Sequence, residues 1–298
     1  MAAGDFAAAN CARLKIVDVV PPFSWMTRML VSDHEHIRDL MIREKQEQLD
    51  VLAAPLRERD LSVTTKVLCG KTSVEIIREV LRDQHDLVMR IAKGADSRRE
   101  GAFGTTGMRL LRECPCVVNL VTSTKAKPTH LLACIDTSTG HADDTELNKE
   151  ILELGQAISA SSEARFSIIQ AWSIDGEQLL DGRMTAREFF QMKENRETHV
   201  RRLLNESLQA HGCSTDDEHV FMIKGNPTEV IPDFVKQNGV DLVVMGTVGR
   251  SGAAGVLVGN TAEQILDSIE CSVIALKPRH FVSPIKMGDY VTAEESSE

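Results

Sequence analysis

Short apolar runs alternate with longer amphipathic stretches through the second half of the chain. The run from Thr129 to Asp136 predicts a strand, and 143–161 a helix with apolar positions at Leu147, Ile151, Leu154 and Ile158. Arg165 to Trp172 predicts a second strand, followed by a long polar helix at about 185–211. Strand 219–224, helix 227–238 with Pro227 in its first turn, strand 241–245, helix 259–269 and strand 272–276 complete the series. Alternating strands and helices predict an open parallel sheet covered on both faces. In such sheets ligands lie beyond the carboxyl ends of the strands, where strand order reverses. Asp136 ends the first of these strands and Gly246 the fourth, so both are expected at one crevice.

The chain also repeats itself. Val67-Leu68-Cys69-Gly70-Lys71-Thr72 resembles Met222-Ile223-Lys224-Gly225-Asn226-Pro227, Asp86-Leu87-Val88-Met89 resembles Asp241-Leu242-Val243-Val244, and Cys116 to Val121 resembles Cys271 to Leu276. The offsets 225 − 70, 241 − 86 and 271 − 116 all equal 155, and Ala12 to Val17 echoes Ala164 to Ile169 at 164 − 12 = 152. So long a period is a duplicated domain, not a solenoid. The expected organisation is a first copy over 1–125, a complete second copy over 126–278 and an acidic tail over 279–298 containing Pro284. The counterpart of Thr129 would fall at 129 − 155 = −26, so the chain is expected to begin inside the first helix (Asp5 to Ala12) and to lack the opening strand of its first copy. The fold class is therefore α/β, two tandem open parallel-sheet, Rossmann-like domains. Losing a central strand should leave the first copy distorted and residues 1–12 poorly anchored, and implies a reading frame extending about 25–35 residues upstream.

Candidate chemistry centres on the turn after the fourth strand. Gly246, two residues, Gly249, nine residues and Gly259 match neither the dinucleotide fingerprint nor the P-loop. Even so, a buried strand feeding a glycine loop and a helix N-terminus suits an anion. The loop holds no lysine, and Arg250 supplies its charge. The first copy has Ile91 and Gly94 where the second has Gly246 and Gly249, and Gly101, Gly104 and Gly107 do not restore the spacing. The first copy thus reads as a degenerate structural partner. Other motifs favour structural roles. Gly70-Lys71-Thr72 lacks the upstream P-loop glycine and reads as a turn capped by Thr72 or Ser73. Gly249-x-Ser251 closes on Ala253, with no base for Ser251. Asp33-His34-Glu35-His36 reads as a solvated helix start. Cys114-Pro115-Cys116 reads as thiols buried before a strand. Trp172 either shapes the crevice or packs half-buried beside it.

Composition narrows the class. Hydrophobic content of 42% and charged content of 26% are globular values. A net charge of −10 argues against nucleic acid or an anionic membrane as partner. No run approaches the roughly 20 apolar residues of a membrane span. The opening Met1-Ala2-Ala3-Gly4-Asp5 carries an acid where an export signal carries basic residues. Seven scattered cysteines suit reduced, buried thiols, so a cytoplasmic protein is expected.

Taken together, the strand ending in Asp136, Met245-Gly246-x-x-Gly249, nine residues, and Gly259-Asn260-Thr261-Ala262-Glu263 resemble the universal stress protein family. With Lys277-Pro278 and Ser283-Pro284 in the tail, the resemblance covers nearly the whole chain and is nearest the tandem E-type proteins of bacteria. It implies a stress-response protein binding ATP or a related adenine nucleotide, with Mg2+ as its companion, and no rapid catalysis. Asp136 would meet ribose or base, the backbone of Ala171 and Met245 the adenine, and Gly246, Gly249, Gly259, Asn260 and Thr261 the phosphates. The nucleotide-binding branch carries Ser or Thr directly after the last glycine, where this chain has Asn260, whose amide also donates hydrogen bonds. A non-nucleotide polar or amphiphilic ligand in the same cleft, a slow ATP hydrolase and a scaffold with a vestigial cleft stay open beside this reading. The two copies are expected to pair within the chain, and a homodimer is compatible with it.

Overall fold

The computed structural model describes residues 2–25, 33–93, 102–122, 127–138, 142–174, 176–177, 183–247 and 259–287. The strands are β1 Leu14–Val20, β2 Val63–Cys69, β3 Leu87–Ile91, β4 Val117–Val121, β5 His130–Cys134, β6 Arg165–Trp172, β7 Val220–Lys224, β8 Leu242–Gly246 and β9 Ser272–Leu276. The helices are α1 Ala2–Ala9, α2 His34–Arg57, α3 Thr72–Asp83, α4 Thr105–Glu113, α5 Ala142–Ser162, α6 Ala186–Gln209, α7 Pro227–Asn238 and α8 Asn260–Ser268. Every element expected in the second copy is present, its ends shifted by at most two residues. The opening helix departs more. It stops at Ala9 instead of Ala12, because Cys11 takes a left-handed φ of 50°.

The duplication extends to backbone conformation. Gly70 (φ +140°) donates to Val20 O at 3.0 Å, and Gly225 (φ +153°) donates to Trp172 O at 2.8 Å. Both pairs hold the offsets found in the sequence, 225 − 70 = 155 and 172 − 20 = 152. Only glycine takes such φ values cheaply, and here it starts the helix that crosses back over the sheet. The caps differ between copies. Asn226 accepts from Thr228 N at 3.1 Å, whereas α3 is preceded by Lys71 with no side-chain cap, so the expected capping by Thr72 or Ser73 does not occur.

Contacts divide the chain into two compact units, residues 1–86, 113–115 and 283–298 forming one and 87–112 and 116–282 the other. In the first, β1 and β2 form a parallel pair against which α2 and α3 pack. Within it the buried Glu79 carboxylate receives Lys15 at 2.9 Å and Lys66 at 2.8 Å, with Arg82 as a third cation. Asp33 precedes α2, and Glu35 and His36 are exposed, which is the solvated start the sequence suggests. In the tail, Ser283 donates to Glu113 O at 2.7 Å.

The second unit is built on seven strands in the order β3-β4-β9-β8-β5-β6-β7. All neighbours are parallel except β4 and β9. Those two are repeat counterparts, and Asn119 pairs with Ile274, its own counterpart at 274 − 119 = 155. A local twofold therefore runs through that pair, joining two copies of one edge strand as in an isologous interface. β5 lies centrally between β6 and β8, and all five of its residues are buried. The core beneath it comprises Leu131, Ala133, Leu147, Ile151, Leu152, Ile168, Leu204, Leu208 and Val244. No described helix is long and apolar enough to cross a membrane.

Candidate ligand site beyond the strand ends

Three strand ends are brought level by register. Cys134 of β5 pairs with Ile169 of β6 and Met245 of β8, so Asp136, Ala171 and Gly246 emerge at one edge of the sheet. The start of β5 is fixed by Asp241, whose carboxylate accepts from Thr129 N, Thr129 Oγ1 and His130 N. Its far end is fixed by Asn148, a buried amide on α5. Asn148 Oδ1 accepts from Asp136 N at 3.1 Å, and Asn148 Nδ2 donates to Asp136 O at 2.8 Å. Asp136 is thus clamped by its backbone at the rim of the crevice. One carboxylate oxygen accepts from Ser138 N at 2.9 Å and Ser138 Oγ at 2.5 Å. Thr137 donates through its hydroxyl to the fully buried Gln170 at 2.8 Å.

The glycine turn is anchored at both ends. Buried Thr247 donates from its backbone to Leu276 O at 3.1 Å, and Gly259 N donates to Thr247 O at 3.0 Å. Gly259 precedes α8 and, being glycine, gives that helix no side-chain cap of its own. The first intrahelical bond runs from Glu263 N to Gly259 O, so the N–H groups of Asn260, Thr261 and Ala262 have no helical acceptor. Glu263 itself pairs with Arg112.

These elements enclose a cavity of about 640 Å3. Asp136, Ala171, Met245, Gly246, Gly259, Asn260 and Thr261 all line it. Gly249, Arg250, Ser251 and Ala253 lie outside the described residues, as do Gly94 and Gly101 of the first copy. Trp172 lines the cavity and is 5% exposed, so it is a buried wall. Cys134 also borders it, with burial holding its thiol far above the ordinary range and hence neutral.

Gly246 has a steric role of its own. A Cβ there would stand 2.7 Å from Leu147 Cδ2, so any larger residue must displace that side chain of α5, whether or not a ligand binds. Two charged groups went unread in the sequence. Asp144 at the start of α5 gives the cavity a second carboxylate, and Arg196 of α6 gives it a half-buried guanidinium. Among the described residues no ion pair engages Arg196. A signal for it existed, since Arg196, Val200, Leu204 and Leu208 stand four residues apart and the last three are fully buried. That spacing puts Arg196 on the inward stripe of the helix. Chemically, the cavity offers helix N–H donors and a guanidinium to an anion, carboxylates to hydroxyl or amine donors, and aliphatic walls (Ile135, Ile151, Ile231, Ile265) to an apolar ring.

Comparison with known proteins agrees with this architecture. The family model described as "Universal stress protein family" matches residues 1–122 and 134–277. Universal stress protein E of Salmonella typhi is 27% identical over 278 residues, spanning 90% of this chain and 85% of its own. Universal stress protein E of Escherichia coli K12 is 26% identical over the same shares of the two chains. Among solved structures, a Pseudomonas aeruginosa PAO1 protein of unknown function superimposes with a TM-score of 0.71 at 22% identity, covering 93% of this chain and 86% of its own. A universal stress protein of Archaeoglobus fulgidus superimposes at 0.61 and 18% identity, covering 93% and 91%. These two structural likenesses bear on the fold. With the family model matching both halves of a duplicated, glycine-looped α/β chain, the protein belongs to the universal stress protein family.

Proposed function

We propose that the second copy, residues 126–278, binds an adenine nucleotide in this cavity and acts as a regulatory or protective stress protein without rapid turnover. The observation that carries the reading is the convergence of Asp136, Gly246, Gly259, Asn260 and Thr261 on one space, into which α8 presents its uncapped N-terminus. Phosphates would take the free N–H groups of Asn260 to Ala262, where the helix dipole favours negative charge. Arg196 would supply the guanidinium that the Asn260 departure makes more valuable. Asp136 would accept from ribose hydroxyls, and the backbone at Ala171 and Met245 would meet the base edge. Mg2+ suits the cavity only as a partner of the phosphates. The lining carboxylates, Asp136 and Asp144, could complete a shell made mostly of phosphate oxygens and water, and the ion would neutralise phosphate charge.

The aliphatic walls support a second reading, an amphiphilic anion with its head at α8 and its tail on Ile151, Ile231 and Ile265. The test uses Trp172 as reporter. Trp25→Phe leaves Trp172 as the only tryptophan of the two in the chain. ATP should then change its emission saturably, and more strongly than an alkyl phosphate does. The reverse order would favour the amphiphile. Steady-state phosphate release well above background would move the reading to a hydrolase.

A further inference from the structure

We propose that Cys213, Asp217 and His219 form a site for a divalent cation of the zinc class, on the loop between α6 and β7. The sulfur, carboxylate oxygen and imidazole nitrogen of these residues lie within 4.8 Å of one another. They stand outside the cavity described above, and nothing in the nucleotide reading uses them.

The loop builds the cluster before any ion arrives. α6 ends at Gln209, Gly212 then takes a left-handed φ of +69°, and Cys213 N donates back to Leu208 O at 3.2 Å. That reversal turns Cys213 against the core instead of towards solvent. Ser214 N donates to Asp217 Oδ2 at 2.8 Å, Asp217 N returns to Ser214 O at 3.2 Å, and Val220 N donates to Asp217 O at 3.0 Å. These bonds hold Asp217 over the Cys213 side. His219 C=O accepts from Ile168 N of β6 at 2.9 Å, and its ring leans on Phe166 with centroids 6.5 Å apart. Each of the three residues is half-buried, which limits competition from bulk water while leaving a way in.

The donor set selects the ion. One sulfur, one nitrogen and one oxygen are a borderline set, suited to Zn2+ and poorly suited to Ca2+ or Mg2+. With bonds of about 2.0–2.3 Å, a tetrahedral ion would bring the donors to about 3.5 Å from one another. On binding, the Asp217 and His219 side chains would have to close that difference by rotating, Asp217 about the oxygen that accepts from Ser214 N. Three protein ligands leave a fourth position for water. The thiol must lose its proton to bind, and both burial and the neighbouring Asp217 hold it protonated in the absence of metal. Cys213 is therefore a poor free nucleophile, and a bound cation would reverse the charge balance that keeps it neutral.

The test is a Zn2+ titration of the intact chain against a chromophoric chelator, with Co2+ as a spectroscopic probe. One tight Zn2+ per chain is expected, and Co2+ should give a near-ultraviolet thiolate charge-transfer band. Cys213→Ser should abolish that band, while Cys69→Ser, which removes an exposed thiol, should leave it intact. Asp217→Asn keeps an oxygen to accept from Ser214 N, so the loop should persist while Zn2+ affinity falls by about a hundredfold. Unchanged affinity in folded Cys213→Ser and Asp217→Asn, or a Co2+ spectrum without a thiolate band, would overturn the proposal.

Discussion

At the scale of single residues, the proposed nucleotide site relies on Arg196 and Asn260, both of which line the cavity, for its anion-binding side. Arg196→Gln should weaken ATP by about tenfold or more, since hydrogen bonds to charged groups contribute about 1.5–3 kcal/mol, and should leave adenosine unchanged. A calorimetric comparison of the two ligands reads the difference. Asn260→Ser should retain or tighten ATP, because a hydroxyl at that position also donates to phosphate. Gly246 teaches a different lesson. Gly246→Ala should cost about 1–3 kcal/mol through its clash with Leu147, and Leu147→Ala in the same chain should recover part of that loss in a thermal melt. A loss of ligand in Gly246 variants alone would therefore say little about the site. Glu79 supplies a pH test. Burial raises its pKa, but the hydrogen bonds from Lys66 and Lys15 outweigh this and the net shift is downward from 4.5. A depressed carboxylate stabilises the fold above its unfolded pKa and loses that contribution as pH falls through its folded value. Acid titration below pH 4.5 should thus loosen the β1–β2 unit, and Glu79→Gln should flatten that pH dependence.

At the scale of elements, the repeat offset identifies positions where one copy is less well fitted than the other. Gln84 ends α3 in the left-handed region at φ 52°, where Gly239, its counterpart at 239 − 84 = 155, ends α7 at φ 62°. Gln84→Gly should stabilise by about 0.5–1 kcal/mol, because glycine enters that region without steric cost. At the β4–β9 twofold, Asn119 carries a buried carbonyl oxygen with no hydrogen-bond partner where Ile274 packs cleanly. Asn119→Val should gain about 1 kcal/mol in chemical denaturation by removing that orphan acceptor. Element by element, the second copy was legible because every strand is a short apolar run and every helix keeps a 3.6-residue stripe. What escaped the sequence was tertiary. The inward stripe of α6 marks the face that carries Arg196 but not the cavity it lines, and nothing local says that Asn148 clamps Asp136 or that a 10-residue span of loop gathers Cys213, Asp217 and His219.

At the scale of the whole molecule, the duplication reads correctly from sequence, but the compact units do not follow the copies. β3, α4 as far as Arg112, and β4 belong by offset to the first copy and by contacts to the second unit. In the second copy β5 bridges β6 to β8, whereas no described strand bridges their counterparts β1 and β3, and β3 and β4 instead continue the other copy's sheet through the β4–β9 ladder. That leaves β1 and β2 as a two-stranded pair, and two strands alone are marginal in water without helices packed on them. Amide exchange should therefore be fastest at β1 and β2, whose residues are mostly half-buried, and slowest at β5, β8 and β9. Equal protection across both sets would contradict this division. The central claim concerns the cavity, and calorimetric titration of ATP into the intact chain tests it most directly. The account expects one site per chain with a dissociation constant in the micromolar range, about −8 kcal/mol. No heat and no saturation up to about 1 mM ATP, near −4 kcal/mol, would contradict it.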